Sequence, residues 1–239
     1  MKPITLSKRL QAVADMVSVG SRVCDVGCDH GFVSIYLTEQ GISPRVLAMD
    51  VRKGPLSAAA EHVTERGLDG QITVRLSDGL HNYNIGEADT LICAGMGGRL
   101  MMRILSDDAE KTASFGELIL QPQSELEAFR RFLYEQGYRI TEENMIEEDG
   151  KFYPMMRVVK GSGLLEIPGL TECRYGPLLL RDKSQVLLSF LKREERIYEE
   201  ILENLRREGL SEEKRQTRYA QMEGRLAVCR EAQEYILAV

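Results

Sequence analysis

The feature that most constrains this chain is a short apolar segment that runs into two closely spaced glycines. Val23–Val26 has the character of a buried strand, a turn spans Gly27 to Gly31, and an apolar helical pattern begins at Phe32. Glycines let the backbone approach a ligand, and the free amides at the start of the next helix face it. A strand, a glycine turn and a helix in this order predict an α/β fold that binds a nucleotide-like cofactor.

Apolar strands and helical patterns continue to alternate after this turn. Helical patterns separate the early strands, and the turn at residues 148–151 joins the last two as a hairpin. The expected strands cover residues 23–26, 46–49, 72–76, 88–94, 118–120, 137–140 and 152–159. The pattern predicts a doubly wound, Rossmann-like α/β fold with a seven-stranded, largely parallel sheet, helices on both faces and an antiparallel edge.

The sequence changes character near Gly161, and beyond residue 181 it becomes charged and helical. Two runs with heptad spacing are joined by a break at Gly209 and a restart at Ser211. The runs are Leu187, Leu191, Glu194, Tyr198, Ile201 and Leu205, then Tyr219, Met222, Leu226, Cys229, Gln233 and Ile236. We therefore predict two domains, residues 1–160 and residues 161–239, the second being a connector followed by an antiparallel α-helical coiled coil.

Composition narrows the class of protein. The formal net charge of −6 argues against a protein coated in positive charge, but it allows a local basic patch. No apolar run reaches the roughly 20 residues that span a bilayer, and the N-terminus lacks a secretory pattern. Five scattered cysteines suggest free thiols in a reducing cytoplasm, and Cys24 and Cys28 lack the second ligand pair of a zinc site. We expect a cytoplasmic protein with no membrane segment and no metal.

The ends of four predicted strands carry the residues expected to bind the cofactor. Asp25 belongs to the first, Asp50 ends the second, Asp78 follows the third and Gly95 closes the fourth. In a doubly wound sheet these ends open onto one crevice. An acid at the position of Asp50 can accept both ribose hydroxyls of a nucleoside, and Asp78 is placed to accept from an adenine amino group.

The glycine turn itself favours one cofactor over another. A nicotinamide dinucleotide site would be expected to have Gly-x-Gly-x-x-Gly, whereas Gly27 and Gly31 enclose Asp29. That carboxylate would repel a pyrophosphate but tolerate a cationic sulfonium, which favours S-adenosylmethionine. The alternative is that the glycines only make a tight turn, with Asp29 and His30 as polar residues at a helix start.

Several longer motifs carry a resemblance to a known family. They are VCDVGCDHGFVSIYL, MDVRKGPLSAA, LSDGL, DTLICAGMGG, LILQPQSE, EDGKFYPMM and RYGPLLLRDK. Together they resemble the bacterial tRNA adenine-22 N1-methyltransferases over nearly the whole chain. The resemblance implies a class I methyltransferase domain, a C-terminal coiled coil, and S-adenosylmethionine-dependent methylation of N1 of an adenine in the D arm of tRNA.

These arguments define a set of candidate site residues. Asp29 is the first candidate for the catalytic carboxylate, and His30 is the second candidate, as an orienting or proton-handling group. The loop at residues 94–99 lacks the Asn-Pro-Pro-aromatic motif of many amino methyltransferases, which favours chemistry at a ring nitrogen. The expected cofactor-binding residues are Asp25, Gly27, Asp29, His30, Gly31, Asp50, Val51, Asp78, Gly79, Ala94, Gly95 and Met96.

Contacts with RNA are expected from a second set. Lys8, Arg9 and Arg99 are candidates for phosphate contacts, with ordinary surface charges as the alternative. Tyr153 and Pro154 are candidates for holding the target base, with edge-strand packing as the alternative. The coiled coil is an RNA clamp, or else a dimer arm or a stabilising appendage, and we expect a monomer or a weak dimer that binds the D arm or elbow of tRNA. The clamp cations would be Lys183, Lys192, Arg193, Arg196, Arg206, Arg207, Lys214, Arg215 and Arg218.

Two other functions remain compatible with the sequence. One is a non-catalytic RNA-binding or regulatory module that retains S-adenosylmethionine as a structural ligand. The other is a small-molecule methyltransferase, which would leave the helical tail without a role.

Overall fold

The computed structural model describes residues 4–162, 166–205 and 212–238. It divides into two compact units, Met1–Ile167 and Pro168–Val239. The sequence places the domain boundary after residue 160 instead. The predicted break at Gly209 and Ser211, together with Arg206 and Arg207, lies outside the described residues.

The first unit is built on one seven-stranded sheet. Its strands are β1 (Val23–Val26), β2 (Val46–Asp50), β3 (Ile72–Leu76), β4 (Thr90–Met96), β5 (Glu117–Pro122), β6 (Tyr138–Glu148) and β7 (Lys151–Lys160). They lie in the order β3-β2-β1-β4-β5-β7-β6, which reverses direction beside β1. The first five strands are parallel, and β7 pairs antiparallel with both β5 and β6. The predicted doubly wound sheet with an antiparallel edge is confirmed.

The helices of this unit connect the parallel strands and cover the sheet. They are α1 (Lys8–Asp15), α2 (Phe32–Glu39), α3 (Lys53–Glu65), α4 (Gly98–Asp107), α5 (Ala109–Ala113) and α6 (Leu126–Glu135). The first helix begins at Lys8 because Ser7 caps it: the Ser7 Oγ accepts from the Leu10 N–H. The short α5 has no amphipathic pattern of its own and was not predicted.

Every residue of β1 and β2 is buried, so these strands form the centre of the core. Helices on both faces account for this, because a parallel sheet covered on both sides has no solvent-facing row. Away from the centre, a fully buried ion pair joins α6 to β6: the Arg130 Nε lies 2.8 Å from the Glu143 Oε1, and neither side chain is exposed.

The second unit consists of helices. They are α7 (Leu170–Tyr175), α8 (Pro177–Arg181), α9 (Gln185–Leu205) and α10 (Glu212–Leu237). The last two run antiparallel: the Cys229 Sγ contacts the Leu191 carbonyl at 3.3 Å, and Arg230 pairs with both Glu195 and Glu199. The antiparallel helix pair agrees with the sequence, and its supercoiling into a coiled coil stays a prediction.

The seam between these helices differs from the predicted one at one position. Leu202 is buried, whereas Ile201 is 37% exposed, because the spacing after Tyr198 is four residues rather than three. The polar seam residue Glu194 has partners: its carboxylate accepts hydrogen bonds of 2.8 Å from the hydroxyls of Tyr175 and Tyr198. This half-buried carboxylate is therefore satisfied by one hydroxyl of its own helix and one of α7.

Candidate active site

The carboxyl ends of β1 to β4 open onto one cavity of about 490 Å³. Eleven of the twelve residues predicted to bind the cofactor line it together with Arg9. These eleven are Asp25, Gly27, Asp29, His30, Asp50, Val51, Asp78, Gly79, Ala94, Gly95 and Met96. The twelfth, Gly31, is the N-cap of α2. The topology therefore assembles the residues that the sequence places at separate strand ends.

The glycine turn after β1 is shaped by three residues with positive φ. Gly27 and Gly31 both have φ of 76°, and Asp29 between them has φ of 51°. The positive φ favours glycine at position 27, and a Cβ there would lie 2.1 Å from the Met96 Cε, so the Met96 side chain would have to move. The turn thus keeps the floor of the cavity open to a ligand.

Asp25 is buried beneath this turn. Its Oδ2 accepts a 2.7 Å hydrogen bond from the Ser34 hydroxyl on α2. Burial raises the pKa of Asp25 to about 6, the Ser34 hydrogen bond opposes that rise, and the nearby charge of Asp50 adds to it. A carboxylate held in so apolar a place has much to gain from a cationic ligand.

Asp50 organises the neighbouring turn. Its Oδ2 accepts from the Asp29 N–H at 3.2 Å, and its Oδ1 accepts from the Arg52 N–H at 2.8 Å. The Arg52 guanidinium in turn lies 3.3 Å from the Asp29 Oδ1. Each Asp50 oxygen retains a lone pair, so the carboxylate can still accept from ribose hydroxyls.

Asp78 forms an ion pair across the cavity wall. Its Oδ1 lies 2.9 Å from the Nη2 of Arg103 on α4, and both side chains are about half exposed. Arg103 also pairs with Asp107, four residues further along the same helix. The carboxylate is therefore oriented before any ligand binds.

His30 belongs to a group of rings at the rim. The His62 Nδ1 lies 3.0 Å from the His30 carbonyl oxygen, and the rings of Phe32 and His62 stack at a centroid distance of 5.4 Å. The His30 Nε2 is 3.9 Å from the Asp29 Oδ1. The two predicted catalytic residues are thus neighbours on the cavity wall.

A bulge in β4 shapes the far side of the cavity. The pairing of β4 with β5 shifts between Ala94 and Met96, which leaves Gly95 outside the ladder with φ of 78°. Its N–H donates instead to the Gln121 Oε1 at 3.0 Å, and the Arg9 Nη1 donates to the same oxygen at 3.2 Å. Arg9 also lies over the ring of Tyr153, 5.6 Å from its centroid.

The other predicted substrate residues lie outside this cavity. Lys8 is exposed, with its N–H bonded to the Glu148 carboxylate, and the 84% exposed Arg99 lies 3.4 Å from Glu125. Pro154 is buried in β7 opposite Met145, whereas its neighbour Tyr153 is half-buried and packs against the core. Their contact with the target base stays a prediction.

Sequence reasoning missed Arg52, Arg103 and Gln121. Two spacings in the sequence could have indicated the arginines: Arg52 follows Asp50 at the strand end by two residues, and Arg103 precedes Asp107 by four. No pattern in the sequence around Gln121 predicts its hydrogen bond with Arg9, which lies 112 positions earlier in the chain.

The residues present suit a nucleoside cofactor with a cationic sulfonium. Carboxylates sit at three successive strand ends, and glycines leave the space that a Cβ would fill. Within residues 4–162, 166–205 and 212–238, no group of three or more His, Cys, Asp or Glu side chains is arranged to hold a metal ion. None of the helices over the same ranges is both long and apolar enough to cross a membrane.

Comparison with known proteins gives a consistent result. The family model described as a methyltransferase domain matches residues 6–156. The tRNA (adenine(22)-N(1))-methyltransferase of Bacillus subtilis is 34% identical over 208 residues, which cover 84% of this chain and 87% of that protein.

Two solved structures extend the similarity to nearly the whole chain. Sp1610 of Streptococcus pneumoniae, in complex with S-adenosyl-L-methionine, has a TM-score of 0.84 at 32% identity and covers 96% of this chain and 100% of its own. TrmK of M. capricolum, in complex with S-adenosyl-homocysteine, has a TM-score of 0.84 at 25% identity, with coverage of 98% and 100%.

Proposed function

The chain belongs to the tRNA (adenine(22)-N(1))-methyltransferase family, and we propose that it transfers a methyl group from S-adenosylmethionine to N1 of adenine 22 in tRNA. The observation that carries this proposal is the cavity in which Asp25, Asp50, Asp78 and the glycines at positions 27 and 95 meet. The cofactors bound by the two similar structures support the choice of ligand.

Each strand end has a distinct task in this proposal. Asp78 accepts from the adenine amino group of the cofactor, Asp50 accepts from its ribose hydroxyls, and the Gly27 turn lies against its amino-acid tail. When bound, S-adenosylmethionine supplies an electrophilic methyl group on a positively charged sulfur.

The reaction sets specific demands on the protein. Adenine N1 carries a free lone pair, so no proton has to leave before it attacks, and the ring gains a positive charge as the bond forms. Asp29 is the proposed carboxylate for stabilising that charge, or for accepting a proton from the exocyclic amine. Arg52 and His30 flank its Oδ1 and orient it.

Adenine N1 lies on the Watson–Crick edge, so a structured RNA hides it. The enzyme has to expose or flip the base, which costs a few kcal/mol. The glycines at positions 95, 97 and 98 leave room at the end of β4 for a base to approach. Tyr153, whose ring lies 5.6 Å from the Arg9 guanidinium, is proposed to help hold the base.

The RNA partner is proposed to be the D arm or elbow of tRNA. Lys8 and Arg99 are exposed cations of the first unit, and Lys192, Lys214 and Arg218 are exposed on α9 and α10. We propose that these residues contact phosphates, which would make binding weaken steeply with salt.

All five cysteines are free and buried, which supports a reducing, cytoplasmic setting. The proposed oligomeric state is a monomer or weak dimer.

One assay tests the function. The protein is incubated with S-adenosylmethionine labelled in the methyl group and with unmodified tRNAs, and the modified nucleotide is mapped. We expect label at N1 of adenine 22. No label in any tRNA would leave the non-catalytic or small-molecule alternatives, and label at adenine N6 would contradict the argument from the glycine-rich loop.

A further inference from the structure

The turn that follows β5 carries an amide side chain without a partner. Gln123 is exposed in this turn, between the end of β5 and the start of α6, and its backbone N–H donates to the Met96 carbonyl oxygen at 2.8 Å. That hydrogen bond ties the turn to the end of β4, so the Gln123 side chain starts from a fixed position. In the described part of the chain, no donor or acceptor pairs with its side-chain amide.

This amide reaches the edge of the cavity. A Cβ built on Gly95, which lines the cavity, would lie 3.8 Å from the Gln123 Nε2. The nearby Gln121 differs, because its side chain is fully buried and its Oε1 already accepts from the Gly95 N–H and from Arg9. Of the two glutamines that flank Pro122, Gln123 is therefore the one whose amide is available to a ligand.

The loop beside Gln123 is built almost without side chains. Residues 95, 97 and 98 are glycines. The Ser124 Oγ accepts from the Gly98 N–H at 3.2 Å, and a Cβ on Gly97 would lie 3.2 Å from the same oxygen. These contacts hold the glycine loop against the turn that carries Gln123. The loop and the turn thus form one wall, with the Gln123 amide at its edge.

The order of the strands places this wall beside the second substrate. Asp78, Asp50 and the Gly27 turn stand at the ends of β3, β2 and β1, and β4 and β5 are the next strands in the sheet. A cofactor bound along the first three strand ends leaves the ends of β4 and β5 for the base that receives the methyl group. Gln123 directly follows β5 and therefore lies on the side from which this base approaches.

Methylation at N1 restricts how a protein can hold an adenine. N1 has to stay free to attack the methyl group, so recognition has to use the opposite edge, which offers N7 as an acceptor and one N6 hydrogen as a donor. A carboxamide matches this pair, because its oxygen accepts from N6 and its nitrogen donates to N7. Guanine has an oxygen in place of the N6 amine, and pyrimidines lack N7, so the same contact selects adenine.

We propose that the Gln123 carboxamide binds N6 and N7 of the target adenine and thereby selects the base that is methylated. The second N6 hydrogen, which lies next to N1, is left for the Asp29 carboxylate. The inference rests on the proposed function, since it takes the methylated base to be an adenine of tRNA.

Replacing N7 of the target base by carbon tests this contact. tRNA is prepared with adenosine or 7-deazaadenosine at position 22, and the second-order rate constant for methylation is measured under single-turnover conditions. We expect the preference of the wild type for adenosine to exceed that of Gln123→Ala by about 5- to 100-fold, the range for one base contact. Any intrinsic difference in N1 reactivity between the two bases is common to both proteins, so it cancels in this comparison.

Two further variants sharpen the result. Gln123→Glu keeps an oxygen for N6 but has no donor for N7, so it should lose the preference as Gln123→Ala does. Gln136→Ala is the matched control and should keep the full preference, because Gln136 is exposed at the C-terminal end of α6. The affinity of each variant for S-adenosylmethionine, measured by titration calorimetry, should stay within about twofold of the wild type. Thermal unfolding checks that each variant is folded.

Other outcomes would overturn the proposal. If Gln123→Ala keeps the full preference for adenosine, another group binds N7. If the wild type and Gln123→Ala both treat the two tRNAs alike, N7 is not contacted at all. A wild type that methylates neither tRNA would overturn the proposed function, and this result is distinct because mapping of the methylated base in unmodified tRNA then also finds no label.

Discussion

The Ser34 hydroxyl donates a 2.7 Å hydrogen bond to the Oδ2 of the buried Asp25, yet the pKa of Asp25 is raised to about 6 from its ordinary value of 3.8. Burial therefore outweighs this hydrogen bond. Because the folded-state pKa is the higher one, the free protein loses stability as the pH rises from the unfolded-state pKa through about 6. The full loss is about 3 kcal/mol at 1.36 kcal/mol per pKa unit.

Asp25→Asn removes this ionisation. We expect the unfolding free energy of the variant, relative to that of the wild type, to rise by roughly 2 kcal/mol between pH 4.5 and pH 7.5. The same variant should bind S-adenosylmethionine more weakly, because it lacks a negative charge for the cationic ligand. Urea unfolding without cofactor at both pH values measures the first effect. Glu61→Gln, at an exposed carboxylate, should show no such change. If the stability difference between Asp25→Asn and the wild type does not change with pH, Asp25 does not lose its proton in this range.

Gly98→Ala should destabilise the protein by about 1–3 kcal/mol, the usual effect of overpacking. A Cβ at this position would lie 2.4 Å from the backbone oxygen of Ser124, which cannot move without shifting the end of β5. Gly224 is the matched position, since it lies inside α10 and a Cβ there meets open space. Gly224→Ala should be neutral or stabilising by up to about 1 kcal/mol. Thermal unfolding compares the two, and equal effects would contradict the close approach at Gly98.

The buried pair of Arg130 and Glu143 gives a test of the α6–β6 contact. Arg130→Met should cost about 3–5 kcal/mol because it leaves a buried carboxylate without its cation. The double variant Arg130→Met with Glu143→Met should recover most of that loss, because it removes both charges. Urea unfolding of the wild type, both single variants and the double variant gives the coupling energy. Additive losses would show that the two side chains do not act as a pair.

Asp29→Ala should lower kcat far more than it lowers affinity for tRNA. The structure places this carboxylate on the cavity wall beside Arg52 and His30 rather than on an outer surface. Single-turnover methylation and equilibrium tRNA binding measure the two effects separately, with Asp69→Ala as an exposed carboxylate for comparison. Equal losses in both would reassign Asp29 to substrate binding.

Replacement of Lys192, Lys214 and Arg218 by alanine should weaken tRNA binding without changing cofactor affinity. Each cation that contacts a phosphate adds up to about 0.9 to the slope of log affinity against log salt concentration. The triple variant should therefore have a shallower slope, measured by filter binding over a salt series. An unchanged slope would favour the other interpretation of the helical tail, a dimer arm, which sedimentation of the full chain would then test.

The sheet was predictable because each strand carries its own local signal. The β3 segment, residues 72–76, is observed over the same range as predicted. Asp50 and Asp78 indicate the edge of the sheet at which a ligand binds, because charged side chains are seldom buried without a partner. Parallel topology then brings these residues together without any further information.

The contacts between side chains that are distant in sequence could not be predicted in this way. Arg9 was predicted as a phosphate contact from its place near the start of a helix, and nothing local indicates that its guanidinium lines the cavity beside Gln121. Pro154 was predicted together with its neighbour Tyr153, and nothing local indicates that Pro154 is buried while Tyr153 is half-buried. In both cases the decisive information is which side chain faces the cavity, and local sequence does not contain it.

The bulge at Gly95 assigns two roles of β4, pairing within the sheet and lining the cavity, to different residues. Ala94 and Met96 keep β4 in register with β5, while the Gly95 peptide is released from the sheet and held by a side chain. Changes at Gln121 or Arg9 can therefore alter what this end of the cavity recognises without breaking a backbone hydrogen bond of the sheet. The side chains at this end of the cavity can therefore differ between relatives, and with them the ligand specificity, while the backbone pairing of the sheet stays the same.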